Sequence, residues 1–174
     1  MGDEVWYATI VGVIVLSGLS IFYILYLAKM RRTKTNAAWK QAATELGLDF
    51  TPVTRIFGKY RMSGVIGKQL SCSVWAYTEP NGQGGYTTFM NYDVRFSQPL
   101  NKVKELLTPN IQSKLLEVNN VLKKVVVSDD SINSTRVSGF IRKSEILIQN
   151  VKLLIQLAEL IIPNEEVDSI FEEI

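Results

Sequence analysis

Residues 69–77 read Gln-Leu-Ser-Cys-Ser-Val-Trp-Ala-Tyr, so Leu70, Cys72, Val74 and Ala76 alternate with Ser71, Ser73, Trp75 and Tyr77. A period of two sends successive side chains to opposite faces of a strand, and this run therefore predicts a strand with one apolar face and one mixed polar and aromatic face. Working outward, Leu48–Val53 and Lys59–Val65 also read as strands, and the latter joins the run through a turn at Ile66, Gly67 and Lys68. On the other side, TEPNGQGG at 78–85 is dense in turn formers. Beyond it Tyr86–Phe96 alternates again, with Tyr86, Thr88, Met90, Tyr92, Val94 and Phe96 on one side. The expectation is an antiparallel hairpin or meander of three or four strands.

After Pro99 the apolar period lengthens. Thr108-Pro109 supplies a cap and a first-turn residue, and Ile111, Leu115, Val118 and Leu122 follow at spacings of three and four, predicting a helix over 109–124. Val125–Val127 is short, apolar and β-branched and reads as a buried strand closed by a turn at 128–131. Thr135–Ile141 reads as a further short strand. Ser144 is expected to cap a helix whose stripe is Leu147, Val151, Leu154, Ala158 and Ile161, and which ends at Pro163. Nearer the N-terminus, Trp39, Ala42, Ala43 and Leu46 share the face of a short helix over 36–46 that Gly47 stops. Strands and helices do not alternate regularly, so the fold class expected is α+β, one antiparallel sheet packed by helices, and not a doubly wound parallel sheet.

Upstream of this domain, residues 5–28, VWYATIVGVIVLSGLSIFYILYLA, contain no charged side chain, and Lys29, Arg31, Arg32 and Lys34 follow at once. As a helix the stretch spans roughly 36 Å, enough to cross a hydrocarbon core of about 30 Å with some tilt. Its basic flank, set against Asp3 and Glu4 on the other side, predicts a single-pass anchor with the N-terminus outside and the carboxyl-terminal domain in the cytoplasm. Trp6 and Tyr7 at one end, and Phe22, Tyr23 and Tyr26 toward the other, suit the two headgroup levels. The acidic start, the long apolar core and the Lys-Met-Arg-Arg that follows argue against a cleaved signal peptide. Ala8 and Gly12, four apart, are the candidate contact for another helix. The organisation expected is a short external terminus at 1–4, the anchor at 5–28, a basic joint at 29–35, an α+β domain at 36–162 and an acidic amphipathic helix at 163–174.

Chemistry is sparse. The chain has no histidine and one cysteine, Cys72, which removes the imidazole that haem most often takes and that a Cys/His nucleophile pair requires, and leaves no internal disulfide or multi-cysteine zinc site. Gly58, Gly64 and Gly67 are spread through a hairpin without the Gly-Lys-Ser/Thr of a phosphate-binding loop. Asp129 and Asp130 are too few for a hard cation and read as a solvated turn. The expectation is no enzyme, no cofactor, no metal and no nucleic acid.

Charge and aromatic placement point to binding. Residues 29–162 hold all 19 bases and 10 of the acids, a surplus of nine, whereas 163–174 hold five acids and no base. A basic body beside a bilayer is drawn to anionic headgroups. The candidate docking residues for a partner are Trp75 and Tyr77, on the face opposite the strand's apolar one, and Val167, Ile170, Phe171 and Ile174 of the terminal helix. These features predict a non-catalytic accessory or scaffold subunit that presents a cytoplasmic interaction domain to other membrane-protein subunits, with a lipid- or small-ligand-binding module as the alternative.

Overall fold

A computed structural model describes residues 2–54, 58–100, 106–137 and 141–162. The first element, α1 (Gly2–Leu46), is a single helix of 45 residues that passes without a break through 29–35. Its first part is long and apolar enough to cross a membrane, with mean hydropathy 2.4 in its most apolar window and none of that window buried within the chain. Gly47 ends the helix at φ 68°, a left-handed conformation that glycine adopts without the steric cost of a Cβ.

The rest of the chain forms β1 (Asp49–Thr51), β2 (Tyr60–Ile66), β3 (Leu70–Pro80), β4 (Tyr86–Phe96), α2 (Pro109–Leu122), β5 (Val125–Val127), β6 (Ser131–Val137) and α3 (Ser144–Ile161). The six strands make one sheet in the order β1-β2-β3-β4-β6-β5, and each neighbouring pair is antiparallel. The protein is therefore α+β, as its sequence pattern predicts, with the four strands of the expected meander and the two strands read after Pro99 joined in one sheet. The two additional strands, β6 and β5, join at the free edge of β4 after α2 has crossed the sheet.

All the helices lie on one face. Leu70, Cys72, Val74 and Ala76 of β3 and Met90, Tyr92, Val94 and Phe96 of β4 are buried beneath Leu147, Val151, Leu154 and Ala158 of α3, Val118 and Leu122 of α2, and Trp39, Ala42 and Ala43 of α1. Inside this layer Asn150 Nδ2 donates to the Tyr92 hydroxyl at 2.9 Å, pairing two polar groups that burial would otherwise leave costly.

Three local readings are corrected. The short strand expected at 135–141 lies at Ser131–Val137. Its apolar alternation is broken by Ser134, which is buried on the core face because its hydroxyl donates to the Lys123 carbonyl at 2.9 Å. Val125–Val127 is an edge strand and only half-buried, with Val126 on the outer face. Ser144 does not cap α3: Lys143 is the cap residue, without a side-chain bond, and Ser144 is the buried first residue of the helix. Thr108, by contrast, caps α2 as expected, accepting from Ile111 N.

The end of α1 is clasped to the sheet by polar bonds. Asn36 Oδ1 accepts from Val53 N at 3.1 Å and Asn36 Nδ2 donates to Val53 O at 3.0 Å, so one side chain satisfies both backbone groups of a residue just past β1. Arg32 donates to Thr54 O beside it. Replacing Asn36 leaves two part-buried backbone groups without partners, and Asn36→Ala is expected to cost about 2 kcal/mol of unfolding free energy, read from denaturant melts followed by tryptophan fluorescence.

Candidate functional site

The second face of the sheet carries no helix among the described residues. The strand registers arrange its side chains in cross-strand rows. Arg61, Trp75, Asn91 and Thr135 make one row, and Ser63, Ser73, Asp93 and Asn133 the next. Tyr77, Phe89 and Val137 form a row toward the β3–β4 hairpin. Trp75 and Tyr77 thus fall on the open face that their alternation in sequence assigned to them, and both are half-buried. Tyr77 is stacked on Phe89 with ring centroids 5.4 Å apart and planes at 22°.

Beside Trp75 lies a depression of about 500 Å³, lined by Lys59, Arg61, Ser73, Trp75, Asp93 and Arg95. Asp93 is 7% exposed, and its carboxylate accepts from Arg95 Nε at 2.8 Å. Lys59 and Arg61 are exposed at the rim and make no ion pair among the described residues. The depression therefore carries three cations and one anion around an aromatic ring.

Asn91 stands next to Trp75 in its row and is 8% exposed. Its Oδ1 accepts from Thr135 Oγ1 at 2.7 Å, while its Nδ2 is buried without a partner among the described residues. A buried donor without a partner is an energetic debit to the fold. Sequence reasoning missed Asn91, Asp93, Phe89 and Arg61. The alternation over Tyr86–Phe96 carries the needed signal, since the positions left off its apolar side are Thr87, Phe89, Asn91, Asp93 and Arg95.

The remaining sequence-predicted residues lie elsewhere. Trp6, Tyr7, Tyr23 and Tyr26 are all exposed on α1. Lys29, Arg31 and Lys34 are exposed too, whereas Arg32 is half-buried in its bond to Thr54. A Cβ added at Gly12 would meet nothing within 4 Å, and the side chain of Ala8 lies outside the described residues. Val167, Ile170, Phe171 and Ile174 also lie outside them. Asp130 is a turn residue whose carboxyl is held below its usual range, first by a hydrogen bond from Ser128. Among the described residues no group of three or more His, Cys, Asp or Glu side chains is placed to hold a metal. No protein-family model, curated protein or solved structure matches this chain.

Two buried groups beneath the sheet fix its response to alkali. Burial pushes the Cys72 thiol up from 9.0 to about 12, reinforced by the Asp93 carboxylate, and burial likewise pushes the Tyr92 hydroxyl up from 10.0 to about 12. Both groups are neutral when protonated, so the fold holds these protons more tightly than the unfolded chain does. Their contribution to stability is fully present below pH 9.0 and is lost progressively as pH rises toward 12. Denaturant midpoints are expected to fall across that window, and Cys72 is expected to resist alkylation at neutral pH until the chain is unfolded. For the orphaned amide, Asn91→Leu is expected to leave stability within about 1 kcal/mol of the parent or to raise it, since the variant deletes an unsatisfied donor and frees Thr135 to water.

Proposed function

We propose that this chain is a non-catalytic, single-pass membrane-anchored accessory or scaffold subunit that uses the open face of its sheet to dock a partner protein within a larger membrane complex. The observation that carries this reading is the asymmetry of the sheet: among the described residues its six strands are covered by helices on one side and by none on the other. The open side holds Trp75, the Tyr77–Phe89 stack, the depression flanked by Lys59, Arg61 and Arg95, and the orphaned Asn91 amide. Aromatic and arginine side chains around a partly desolvated centre are the composition of an interface anchor.

The apolar part of α1 supports the anchor, and its basic flank supports a cytoplasmic domain with the N-terminus outside. Lys29, Arg31 and Lys34 suit anionic headgroups where the helix leaves the bilayer, and Trp6, Tyr7, Tyr23 and Tyr26 suit its two interfaces. Exposed surface on the apolar segment is available to lipid or to another transmembrane helix, including along the Ala8/Gly12 stripe.

The reading is tested by extracting the full chain from its native membrane in mild detergent, alongside Trp75→Ala and Asn91→Leu. The parent is expected to migrate in a discrete complex with stoichiometric subunits. Both variants are expected to stay folded and anchored while losing those subunits at least tenfold, a loss equivalent to about 1.4 kcal/mol. A parent that migrates alone, or variants that retain the full complex, would sink the docking role of this face.

A further inference from the structure

Direction along the molecule can be read from the packing of α1 on β2. Thr35 hydrogen-bonds the Tyr60 hydroxyl, and Trp39 lies against Tyr60 with ring centroids 5.5 Å apart. Farther along, a Cβ built at Gly64 would come within 3.1 Å of Leu48, just past the helix end. Helix and strand therefore advance the same way, away from the apolar segment. Strand β3 runs back toward that segment. Its Ala76 pairs with Tyr60 at the start of β2, so Tyr77–Pro80 overhang β2 by four residues, about 14 Å at ~3.4 Å per residue. Ala28, the last residue of the apolar stretch, lies seven residues before Thr35, about 10 Å along the helix at ~1.5 Å per residue. With helix and strand taken as aligned, the overhang exceeds the helical distance by about 3 Å, which places the end of the β3–β4 hairpin at or slightly beyond the level where the apolar helix ends.

What gathers at that level is not ordinary surface. The open face there carries the Tyr77–Phe89 stack and Val137 at 64% exposure, and Tyr86, at 67%, stands on the other side of the same hairpin end, in the alternation of Met90 and Tyr92. Around it stand the exposed cations Lys29, Arg31 and Lys34 of α1, Lys59 ahead of β2, and Arg142 and Lys143 ahead of α3. Among the described residues the acids at this end are Glu79 and, in the first turn of α3, Glu145, against six exposed cations. At the far end of the sheet the β5–β6 turn instead holds Asp129 and Asp130.

We propose that the tip of the β3–β4 hairpin is a second contact with an anionic bilayer surface, with Tyr86 and the Tyr77–Phe89 edge at headgroup depth and the surrounding Lys and Arg side chains on the lipid phosphates. Aromatic rings with a polar end favour that depth, and a ring of cations complements the charge of the headgroups. The contact rests on the anchor reading above, and it converts a tether into a two-point attachment. The hairpin loop is small and closed on itself, with Asn81 Oδ1 accepting from Gln83 N and Gly85 N, so its tip is presented as a compact unit.

The test uses the full chain in vesicles of phosphatidylcholine with phosphatidylglycerol, labelled at one introduced cysteine with an environment-sensitive fluorophore. Three sites are compared: Gln83→Cys at the hairpin tip, Lys68→Cys in the β2–β3 turn at the opposite end, and Leu16→Cys within the apolar stretch. Native Cys72 is 2% exposed and does not compete for label. The label at 83 is expected to be quenched by shallow brominated lipid and shielded from aqueous iodide several-fold more than the label at 68, while the label at 16 is quenched by deeply brominated lipid. A label at 83 that behaves like the one at 68, with 16 still quenched by lipid, would overturn the hairpin contact and leave the anchor standing. A label at 16 open to iodide would overturn both. Equal quenching at 83 in pure phosphatidylcholine would overturn the assignment to an anionic surface.

Discussion

Trp39 holds the architecture together. It is fully buried, its ring lies 6.3 Å from Phe50 of β1 and 5.5 Å from Tyr60 of β2, and its Nε1 donates to the carbonyl of Ile141 ahead of α3. One side chain thus ties the end of the long helix to the first two strands and to the segment that launches the last helix. Removing a buried tryptophan of this kind costs about 3–5 kcal/mol, a large part of the stability of a domain this size. Without it, α1 would keep its hydrogen-bonded backbone and its Asn36 and Arg32 bonds to the segment after β1, and lose the largest apolar contact that fixes its direction relative to the sheet.

The strands at the centre of the sheet were legible in the sequence, because Leu70, Cys72, Val74 and Ala76, and likewise Met90, Tyr92, Val94 and Phe96, alternate strictly and are buried on a single side. The helix stripes were legible for the same reason at a longer period. The edge was harder to read. Strand β6 hides Ser134 on its core face, where a hydroxyl is satisfied by carbonyls at the end of α2, a long-range bond that no local pattern announces. Strand pairing across the intervening α2 is equally non-local, so the six-stranded order could not be counted from alternation. Trp75 and Tyr77 were visible as the odd positions of a strand, yet the companions that make a surface of them come from β2, β4 and β6 and are brought alongside only by register.

Polar side chains do two kinds of work here. On the helix side they are paired and buried, as with Asn150 and Tyr92 or Asn36 and the backbone of Val53, and they fix one packing among many that apolar contacts alone would tolerate. On the open side they are left incomplete. Asp93 has a single ion-pair partner in Arg95, and the Asn91 amide has none among the described residues. Among the described residues the one buried side-chain donor without a partner is the Asn91 amide, and it lies beside Trp75 on this face.

The unbroken passage of α1 from the apolar stretch into the domain gives the six residues between Ala28 and the buried Thr35–Trp39 turn a second property besides length. A helix turns about 100° per residue, so each residue in that interval sets the azimuth of the sheet about the helix axis as well as its height. Inserting one residue there would lift the domain by only about 1.5 Å but swing its open face through more than a quarter turn. The interval works as a phase setting: it fixes which way the face looks, with a sensitivity that a flexible linker of the same length would erase.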